Sequence, residues 1–220
     1  MSRTVIFANG EFGDPEAARQ LVSPSDYVIG ADGGTRHALS IGVDPDLIIG
    51  DLDSLPESEL RRAKRSGAQV QAYSPAKDET DLELALKHAA VHGAREIIVL
   101  AALGGRLDQL IANVLLLALP ELDGVAVRIV DGVQTAFLIT KDARISGHPG
   151  DIVSLIPIGG DAAGVTTTGL EWCLTNDALC FGPARGVSNR LVCNQAAVAI
   201  RQGRLLCVVT RCDSDAVCQE

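Results

Sequence analysis

Residues 27–54 read YVIGADGGTRHALSIGVDPDLIIGDLDS, and they contain two short apolar runs separated by a segment with helical character. The runs Tyr27–Ala31 and Leu47–Gly50 are rich in Val and Ile, and each is followed directly by Asp. Short apolar runs bounded by turn residues are typical of strands buried on both faces. The segment therefore predicts a strand, a helix over Gly34–Ile41, and a second strand parallel to the first.

The same alternation runs through residues 1–134. Further strands are predicted at Thr4–Asn9, Gln69–Tyr73, Glu96–Ala101 and Ala126–Asp131. Further helices are predicted near Asp14–Val22, Glu57–Ser66, Thr80–His92 and Asp108–Leu119. This order predicts an α/β domain with a mostly parallel sheet covered by helices on both sides.

Residues 135–220 have a different sequence pattern, in which no long helix is predicted. Short runs rich in Val, Ile and Thr occur at Ala136–Ile139, Ile152–Pro157, Gly164–Thr168 and Leu205–Thr210. Gly, Pro, Asp and Asn separate them, which is typical of a small antiparallel β domain. The short junction at Gly132–Gln134 predicts two domains without a flexible linker.

The composition and charge of the chain exclude some classes of function. The chain has 220 residues, 47% hydrophobic content and a net charge of −9. That charge argues against a nucleic-acid partner, because such binding is driven by basic patches. Up to residue 135 the chain carries 20 acidic and 12 basic side chains, a balance of −8, against −1 for the remainder. If this acidic part of the chain binds an anionic nucleotide, a cation is needed between the protein carboxylates and the nucleotide phosphates.

The sequence predicts neither export nor membrane insertion. Residues 1–10 lack a secretion signal, and the longest apolar run, Leu110–Leu119, is too short to cross a bilayer. A cytoplasmic protein is therefore expected. The spacing of the cysteines fits no zinc site, so reduced thiols in or near a β core are expected at Cys173, Cys180, Cys193, Cys207, Cys212 and Cys218.

Acidic residues follow two of the predicted strands. Asp32 follows the first apolar run, and Asp51 and Asp53 follow the second. Ligands of an open parallel sheet bind beyond the carboxyl ends of its strands. These carboxylates are therefore expected at one edge, where hard oxygen ligands suit Mg²⁺. The alternative for each residue alone is a turn or helix-capping role.

Two further motifs fall at the same predicted edge. In KDETD, residues 77–81, Lys77 and free backbone N–H groups could dock a phosphate while Asp81 joins the carboxylates; Asp78 or Thr80 could also simply cap the helix. In GGRLDQ, residues 104–109, the glycines allow close approach and Arg106 offers a fork for phosphate oxygens. Asp108 could cap the next helix.

Other polar residues give weaker signals. Asn9, at the end of the first strand, is placed to approach a nucleotide base or ribose. His88 and His92 lie four residues apart at the far end of their helix and are expected to be surface residues, not a metal pair. Taken together, the motifs predict Mg²⁺–nucleotide phosphate chemistry and leave the acceptor open.

These motifs resemble those of the thiamine pyrophosphokinase family. The matching strings are ADGG at 31–34, GDLDS at 50–54, the Asp78/Thr80/Asp81 pattern, GGRLDQ at 104–109, and TTTGLEWCLTNDALCFG at 166–182 followed by Ser188-Asn189. The likeness covers nearly the whole chain, with the motifs in the same order. It implies an N-terminal α/β/α nucleotide domain, a C-terminal β-sandwich and a homodimer. In this family thiamine lies between the catalytic domain of one subunit and the β domain of the other.

The resemblance also implies roles for individual residues. Metal ligation falls to Asp32, Asp51, Asp53 and Asp81, with catalysis by Asp51, Asp53, Asp81, Arg106 and Asp108. The ATP side comprises Asn9, Asp32, Gly33, Lys77, Asp78, Thr80, Gly105 and Gln109. The thiamine side comprises Trp172, Ser188 and Asn189. Lys77 stands where some relatives carry Gln, and the tail after Val209 has no counterpart.

The expected reaction is attack of the thiamine hydroxyl on the β-phosphorus of ATP, with AMP leaving and Asp51 or Asp53 accepting the proton. Trp172 would offer an indole face to the vitamin, although a core tryptophan is the alternative. Three rivals stay open: a sugar-nucleotide glycosyltransferase, an aspartyl-phosphate phosphohydrolase, and a non-catalytic thiamine or nucleotide sensor.

Overall fold

The computed structural model of the protein describes residues 2–212, and they form two compact units. One unit ends at Gly132 and the other begins at Val133. Cys218 lies outside the described residues. None of the helices in the described part of the chain has the length and apolar character needed to cross a bilayer.

The first unit alternates strands and helices as predicted. Its strands are β1 Arg3–Phe7, β2 Tyr27–Ala31, β3 Leu47–Gly50, β4 Gln69–Ala72, β5 Glu96–Leu100 and β6 Ala126–Asp131. Its helices are α1 Pro15–Leu21, α2 Gly34–Ser40, α3 Glu57–Arg65, α4 Asp81–Val91 and α5 Leu107–Leu115. The strands pair in the order β6-β5-β1-β2-β3-β4, and every pair is parallel.

The strand order places helices on both faces of this sheet. The chain moves from β1 to β4 in one direction and then returns past β1 to β5 and β6. Parallel crossovers are right-handed, so reversing direction moves the later helices to the opposite face. Consistent with this, Val5 and Phe7 of β1 pack with Ala18 of α1 and Ala38 of α2, whereas α4 contacts β1, β2 and β3. The predicted mostly parallel sheet is confirmed.

The helix predicted near Thr80–His92 is α4, and the capping alternative for Thr80 is confirmed, because its hydroxyl accepts a hydrogen bond from the Glu83 N–H at 3.2 Å. One predicted boundary is wrong. The helix predicted at Asp108–Leu119 ends at Leu115, and Leu116–Ala118 tighten into a 3₁₀ turn ahead of Pro120.

The pair Gly33-Gly34 lets α2 begin very close to the end of β1. A Cβ atom on Gly34 would lie 2.0 Å from the Phe7 carbonyl oxygen, and one on Gly33 would lie 2.4 Å from Asn9 Oδ1. A larger residue at Gly34 would have to move the β1 backbone, and one at Gly33 would have to displace the Asn9 side chain. The glycines of the ADGG motif therefore serve helix-on-strand packing.

We expect Gly34→Ala to lower the free energy of unfolding by about 2–3 kcal/mol, since the new methyl group meets rigid β1 backbone. Gly13→Ala is the matched control, because a Cβ atom there has no neighbour within 4 Å. Urea denaturation of the two variants measures the difference. Equal stability of both would contradict the packing argument.

The second unit is a sandwich of antiparallel sheets, as predicted. Its strands are β7 Gln134–Ile139, β8 Asp142–Ser146, β9 Ile152–Pro157, β10 Ala162–Thr168, β11 Asp177–Leu179, β12 Asn189–Arg190, β13 Gln195–Ala199 and β14 Leu205–Thr210. They pair as β12-β9-β14-β7 and as β11-β10-β13-β8. Side chains of both sheets, including Leu155, Val165, Val198 and Cys207, share one core.

The cysteines of the described residues are all free, as expected. Their placement is only partly as expected. Cys207 lies in the core, whereas Cys173, Cys180 and Cys193 are exposed. Burial raises the pKa of the Cys207 thiol to about 12. It is therefore almost entirely protonated, and inert, at neutral pH.

We expect iodoacetamide at pH 8 to modify Cys180 and Cys193 of the native protein at least about 100-fold faster than Cys207, because the thiolate is the reactive form. Peptide mapping by mass spectrometry follows each site, and the same reaction in urea is the control for intrinsic reactivity. Comparable native labelling of Cys207 would show that the sandwich core opens readily.

Candidate active site

A cleft of about 660 Å³ opens at the carboxyl edge of the parallel sheet. It lies where the strand order reverses beside β1, the usual ligand position in such sheets. Its walls come from the loops after β1, β2, β3, β4 and β5 and from the starts of α4 and α5. The lining residues are Ala8, Asn9, Gly10, Glu11, Ala31, Asp32, Asp51, Asp53, Ser54, Pro75, Lys77, Glu79, Thr80, Asp81, Leu82, Ala102, Gly104, Gly105, Arg106, Gln109 and Asn113.

Three of the predicted acids converge in this cleft. Asp32, Asp51 and Asp53 each present a carboxylate oxygen, and these oxygens lie within 4.8 Å of one another. The local backbone makes this possible. Asp32 has a φ of 45° and Leu52 a φ of 66°, so the chain turns sharply at both strand ends. The turn at Leu52 aims Asp51 and Asp53 at the same point.

Gly50 provides the room for this convergence. It has a φ of 148°, and a Cβ atom there would lie 2.9 Å from Asp32 Cβ and 3.0 Å from Asp81 Cγ. The end of β3 therefore has to be bare for Asp32 and Asp81 to approach it. This position also places Asp81 beside the three clustered carboxylates.

The cluster suits a cation. Asp32 is only 4% exposed, and its Oδ1 has no hydrogen-bond partner within the described chain. Two carboxylates at this separation repel by about 3 kcal/mol at an effective dielectric constant of about 20, and by less where one is exposed, as Asp53 is. A buried, unpaired anion among like charges needs a positive partner. Three carboxylate ligands with solvent access fit a hard divalent ion.

Lys77 supplies part of that positive charge. Its Nζ lies 3.0 Å from Asp81 Oδ1 and 3.7 Å from Asp51 Oδ2. Desolvation lowers the pKa of Lys77, but Asp81 and Asp51 outweigh this and leave the pKa raised. Burial raises the pKa of Asp81 despite the opposing effect of Lys77. Lys77 thus binds the acids in this structure and lies within reach of anything they bind.

The structure separates the remaining residues predicted for the ATP side. Asn9, Thr80, Gly105 and Gln109 line the cleft. Asp78 is exposed and outside the lining, and Gly33 packs against Asn9 without lining the cleft.

Arg106 reaches the cleft from the turn after β5. Its side chain is 74% exposed, and the guanidinium pairs with Asp108, which lies outside the lining. The hydrogen bond and charge of Asp108 raise the pKa of Arg106, and those of Arg106 lower the pKa of Asp108. Asp108 thus holds the arginine. It does not cap α5, since Arg106 occupies the N-cap position and makes no side-chain cap.

Two cleft residues escaped the sequence analysis. Glu11 accepts a hydrogen bond from the Gly105 N–H at 3.0 Å. Asn113, buried in α5, donates to the Ala102 carbonyl at 2.8 Å. Asn113 stands out in the sequence as the polar interruption of the run Leu110–Leu119, whereas Glu11 follows the Asn9-Gly10 turn without any distinguishing signal.

Residues predicted for thiamine lie in the second unit. Trp172 is 58% exposed, so the alternative of a core tryptophan is wrong. Asn189 brackets it, accepting from the Trp172 N–H at 3.1 Å and donating to its carbonyl at 2.8 Å. Ser188, with a φ of 63°, forms the turn into β12. The unit thus presents an indole face fixed at its backbone.

The histidine pair lies at the end of α4 remote from the acids. His88 and His92 stack with ring centroids 4.0 Å apart, and the His92 ring contacts the His88 carbonyl at 2.8 Å. Desolvation lowers the pKa of His88. A mutual stack and a backbone contact thus engage both rings.

Comparison with known proteins decides the family. Residues 18–129 match the family model "Thiamin pyrophosphokinase, catalytic domain", and residues 139–205 match "Thiamin pyrophosphokinase, vitamin B1 binding domain". The chain belongs to the thiamin pyrophosphokinase family. The two matches fall on opposite sides of the boundary between the compact units.

Individual members of the thiamin pyrophosphokinase family agree with this. Thiamine pyrophosphokinase of Bacillus subtilis is 29% identical over 187 residues, which cover 82% of this chain and 85% of the relative. A crystal structure of the Bacillus subtilis protein superposes with a TM-score of 0.86 at 25% identity, covering 96% and 99% of the two chains. The thiamin pyrophosphokinase of Geobacillus thermodenitrificans gives 0.84 at 26% identity, covering 97% and 99%.

We expect Asp32→Asn to leave the stability of the protein in EDTA unchanged or slightly higher, because it removes the buried carboxylate of a crowded cluster. Added MgCl₂ or MnCl₂ should raise the Tm of the unsubstituted protein by several degrees and that of the variant by much less. Differential scanning fluorimetry measures both, with the exposed Asp44→Asn as control. A full metal-dependent shift in Asp32→Asn would remove Asp32 from the cation site.

Proposed function

We propose that the protein transfers the pyrophosphoryl group of ATP to the hydroxyl of thiamine, giving thiamine diphosphate and AMP. The observation that carries this proposal is the carboxylate cluster at the sheet edge, in a chain whose two units match the catalytic and the vitamin B1-binding family models. The cleft is large enough for a nucleotide, since pockets of about 300–1,000 Å³ hold molecules of that size.

Mg²⁺ is the proposed metal, held by Asp32, Asp51 and Asp53. Their oxygen-only donor set suits a hard cation, and the unpartnered Oδ1 of Asp32 leaves a ligand atom available. When bound, Mg²⁺ supplies neutralisation of triphosphate charge. Asp81 is a further proposed ligand; in this structure it is paired with Lys77.

Lys77 and Arg106 are proposed to stabilise negative charge on the moving phosphoryl groups. Both side chains line the cleft, and they approach it from different loops. Phosphoryl transfer depends mainly on positioning and charge stabilisation, which cations at two sides of the cleft can provide. Asp108, paired with Arg106, would act by holding the guanidinium.

The thiamine hydroxyl must lose a proton as it attacks the β-phosphorus in line. Asp51 and Asp53 are the candidate acceptors. Asp53 is exposed and its Oδ1 accepts from the Ser54 hydroxyl at 2.9 Å, whereas Asp51 is partly buried beside Lys77. The exposed Asp53 is more accessible to an incoming hydroxyl, so we favour it as the acceptor.

Trp172, Ser188 and Asn189 are the proposed thiamine residues. An exposed indole held by backbone hydrogen bonds offers a flat face to a cationic thiazolium or a pyrimidine ring. The proposed homodimer would bring this face to the cleft of a second copy. Exposed apolar side chains on both units, among them Ile111, Leu115 and Phe181, are consistent with a further interface.

A cytoplasmic location is proposed on the free cysteines, since a reducing compartment keeps thiols unpaired.

Two of the three alternative functions fit the structure less well than the proposed one. A phosphohydrolase needs a nucleophilic aspartate after the first strand, where Ala8 and Asn9 follow β1. The three clustered carboxylates, with Lys77 beside Asp51, argue against a sensor without catalysis. A glycosyltransferase is distinguished by assay.

The test is incubation of the purified protein with ATP, Mg²⁺ and thiamine, with AMP and thiamine diphosphate resolved by chromatography. Thiamine-dependent formation of both products in equal amounts supports the proposal. Hydrolysis of a UDP-sugar, or phosphate release without thiamine, would instead favour the glycosyltransferase or the phosphohydrolase.

We expect Asp53→Asn to lower turnover by about 100-fold or more, because it removes one metal ligand and one candidate proton acceptor. Its Tm should change by less than about 3 °C, since the residue is exposed. Asp44→Asn, also exposed but remote from the cluster, should leave turnover unchanged. Near-normal activity of Asp53→Asn would remove this residue from the mechanism.

A further inference from the structure

The loops after β1 and β5 are joined by backbone hydrogen bonds beyond the end of the sheet. The Gly10 N–H donates to the Ala101 carbonyl at 2.7 Å, and the Glu11 N–H donates to the Leu103 carbonyl at 2.9 Å. The pairing of these neighbouring strands therefore continues into the walls of the cleft. It brings the Glu11 side chain over the Gly-Gly turn that precedes Arg106.

Glu11 contacts both glycines of that turn. Its carboxylate accepts the Gly105 N–H at 3.0 Å. Its side chain also covers Gly104 so closely that a Cβ atom there would lie 2.7 Å from Glu11 Cβ, Cγ and Cδ. A hydrogen bond to one glycine and close packing on the other fix the side chain at two points.

The turn needs such a restraint. Gly104 and Gly105 have φ values of 80° and 66°, and consecutive glycines are the most freely moving residues of a chain. Asn113 holds the near end of the turn through the Ala102 carbonyl. Only Glu11, among the described side chains, hydrogen-bonds the turn at Gly105, next to Arg106.

A carboxylate at this place has an electrostatic cost. Glu11 lines a cleft that already holds clustered acids and that, on the proposed function, receives a triphosphate. It also lies close enough to Asp131 for the two carboxyls to interact. Glu11 does not belong to the three-carboxylate cluster, so cation binding there does not explain its presence. Its contact with the Gly-Gly turn does, because that contact restrains the turn.

We propose that Glu11 is a positioning residue that locks the Gly104–Gly105 turn and thereby holds Arg106 at the cleft. The part concerning Arg106 rests on the proposed function. The lock itself is a property of the folded chain and is measurable without any reaction.

Trypsin tests the lock directly, because it cleaves after Arg106 when this segment opens. In Glu11→Ala, cleavage at Arg106 should be about fivefold faster or more, as followed by mass spectrometry of the native protein. Glu11→Gln keeps an oxygen that can accept the Gly105 N–H, so it should be cleaved at the original rate. Glu16→Ala, which removes an exposed carboxylate of α1, is the control. Unchanged cleavage in Glu11→Ala would overturn the lock.

A double-mutant cycle tests whether Glu11 acts through Arg106. Glu11→Ala should lower kcat by about tenfold in the unsubstituted protein, because small displacements of a catalytic group are costly. In the Arg106→Ala background it should lower kcat less than about twofold. Glu11→Gln should stay within about threefold of the unsubstituted protein.

The outcomes separate cleanly. A tenfold loss that persists without Arg106, or a Glu11→Gln variant as impaired as Glu11→Ala, would overturn the positioning role. Absence of thiamine-dependent AMP formation in the unsubstituted protein would count against the proposed function, and the trypsin comparison would then decide the lock alone. Thermal denaturation of each variant confirms that a change in cleavage arises at this turn and not from global unfolding.

Discussion

Crowding of negative charge at one edge of a parallel sheet is the constraint on which this structure depends. Asp32, Asp51 and Asp53 repel one another, yet the rigid strands that precede them leave no freedom to separate. Because the ends of β2 and β3 are fixed by parallel pairing to their neighbours, the fold stores an unfavourable arrangement that a cation relieves. Lys77, four residues before α4, compensates part of the negative charge through its ion pairs with Asp51 and Asp81. Because Asp81 is the first residue of α4, this pairing links the start of the helix to the same site.

Most of the site is shaped by backbone conformation and close packing, and comparatively little by side-chain hydrogen bonds. Left-handed residues at Asp32 and Leu52 aim the acids, and left-handed glycines at 104 and 105 shape the opposite wall. Such conformations are costly for residues other than glycine and persist only where surrounding contacts enforce them. The walls therefore combine clustered acids on one side with a glycine turn, restrained by Glu11 and Asn113, on the other. On the proposed function, the acids would hold the metal while the restrained turn would present Arg106 to the nucleotide.

The sequence was a good guide wherever an apolar run ended in a turn residue. The bounds of β2, β3, β6, β9 and β14 match their predicted runs. β2 and β3 are buried on both faces, which demands uninterrupted apolar residues, whereas β6 and β9 alternate buried and more exposed positions. The strands β8, β11, β12 and β13 were not predicted. β11 and β12 are only 3 and 2 residues long, and β8 and β13 lack a run of Val or Ile and pair with each other across about 50 positions of sequence. At the site, strand ends predicted which acids converge. The contact between Glu11 and Gly105 spans 94 positions and leaves no local pattern.

Gly50 gives this fold a simple diagnostic. Aspartates after strands are common in turns, so the acids alone say little about whether a distant homologue still works. A bare α-carbon at this point, by contrast, is favoured both by the φ of 148° and by the carboxylates that crowd in from two other elements. A homologue with any side chain here would have to move the acids apart, and the aspartates that it retains would then no longer form a carboxylate cluster.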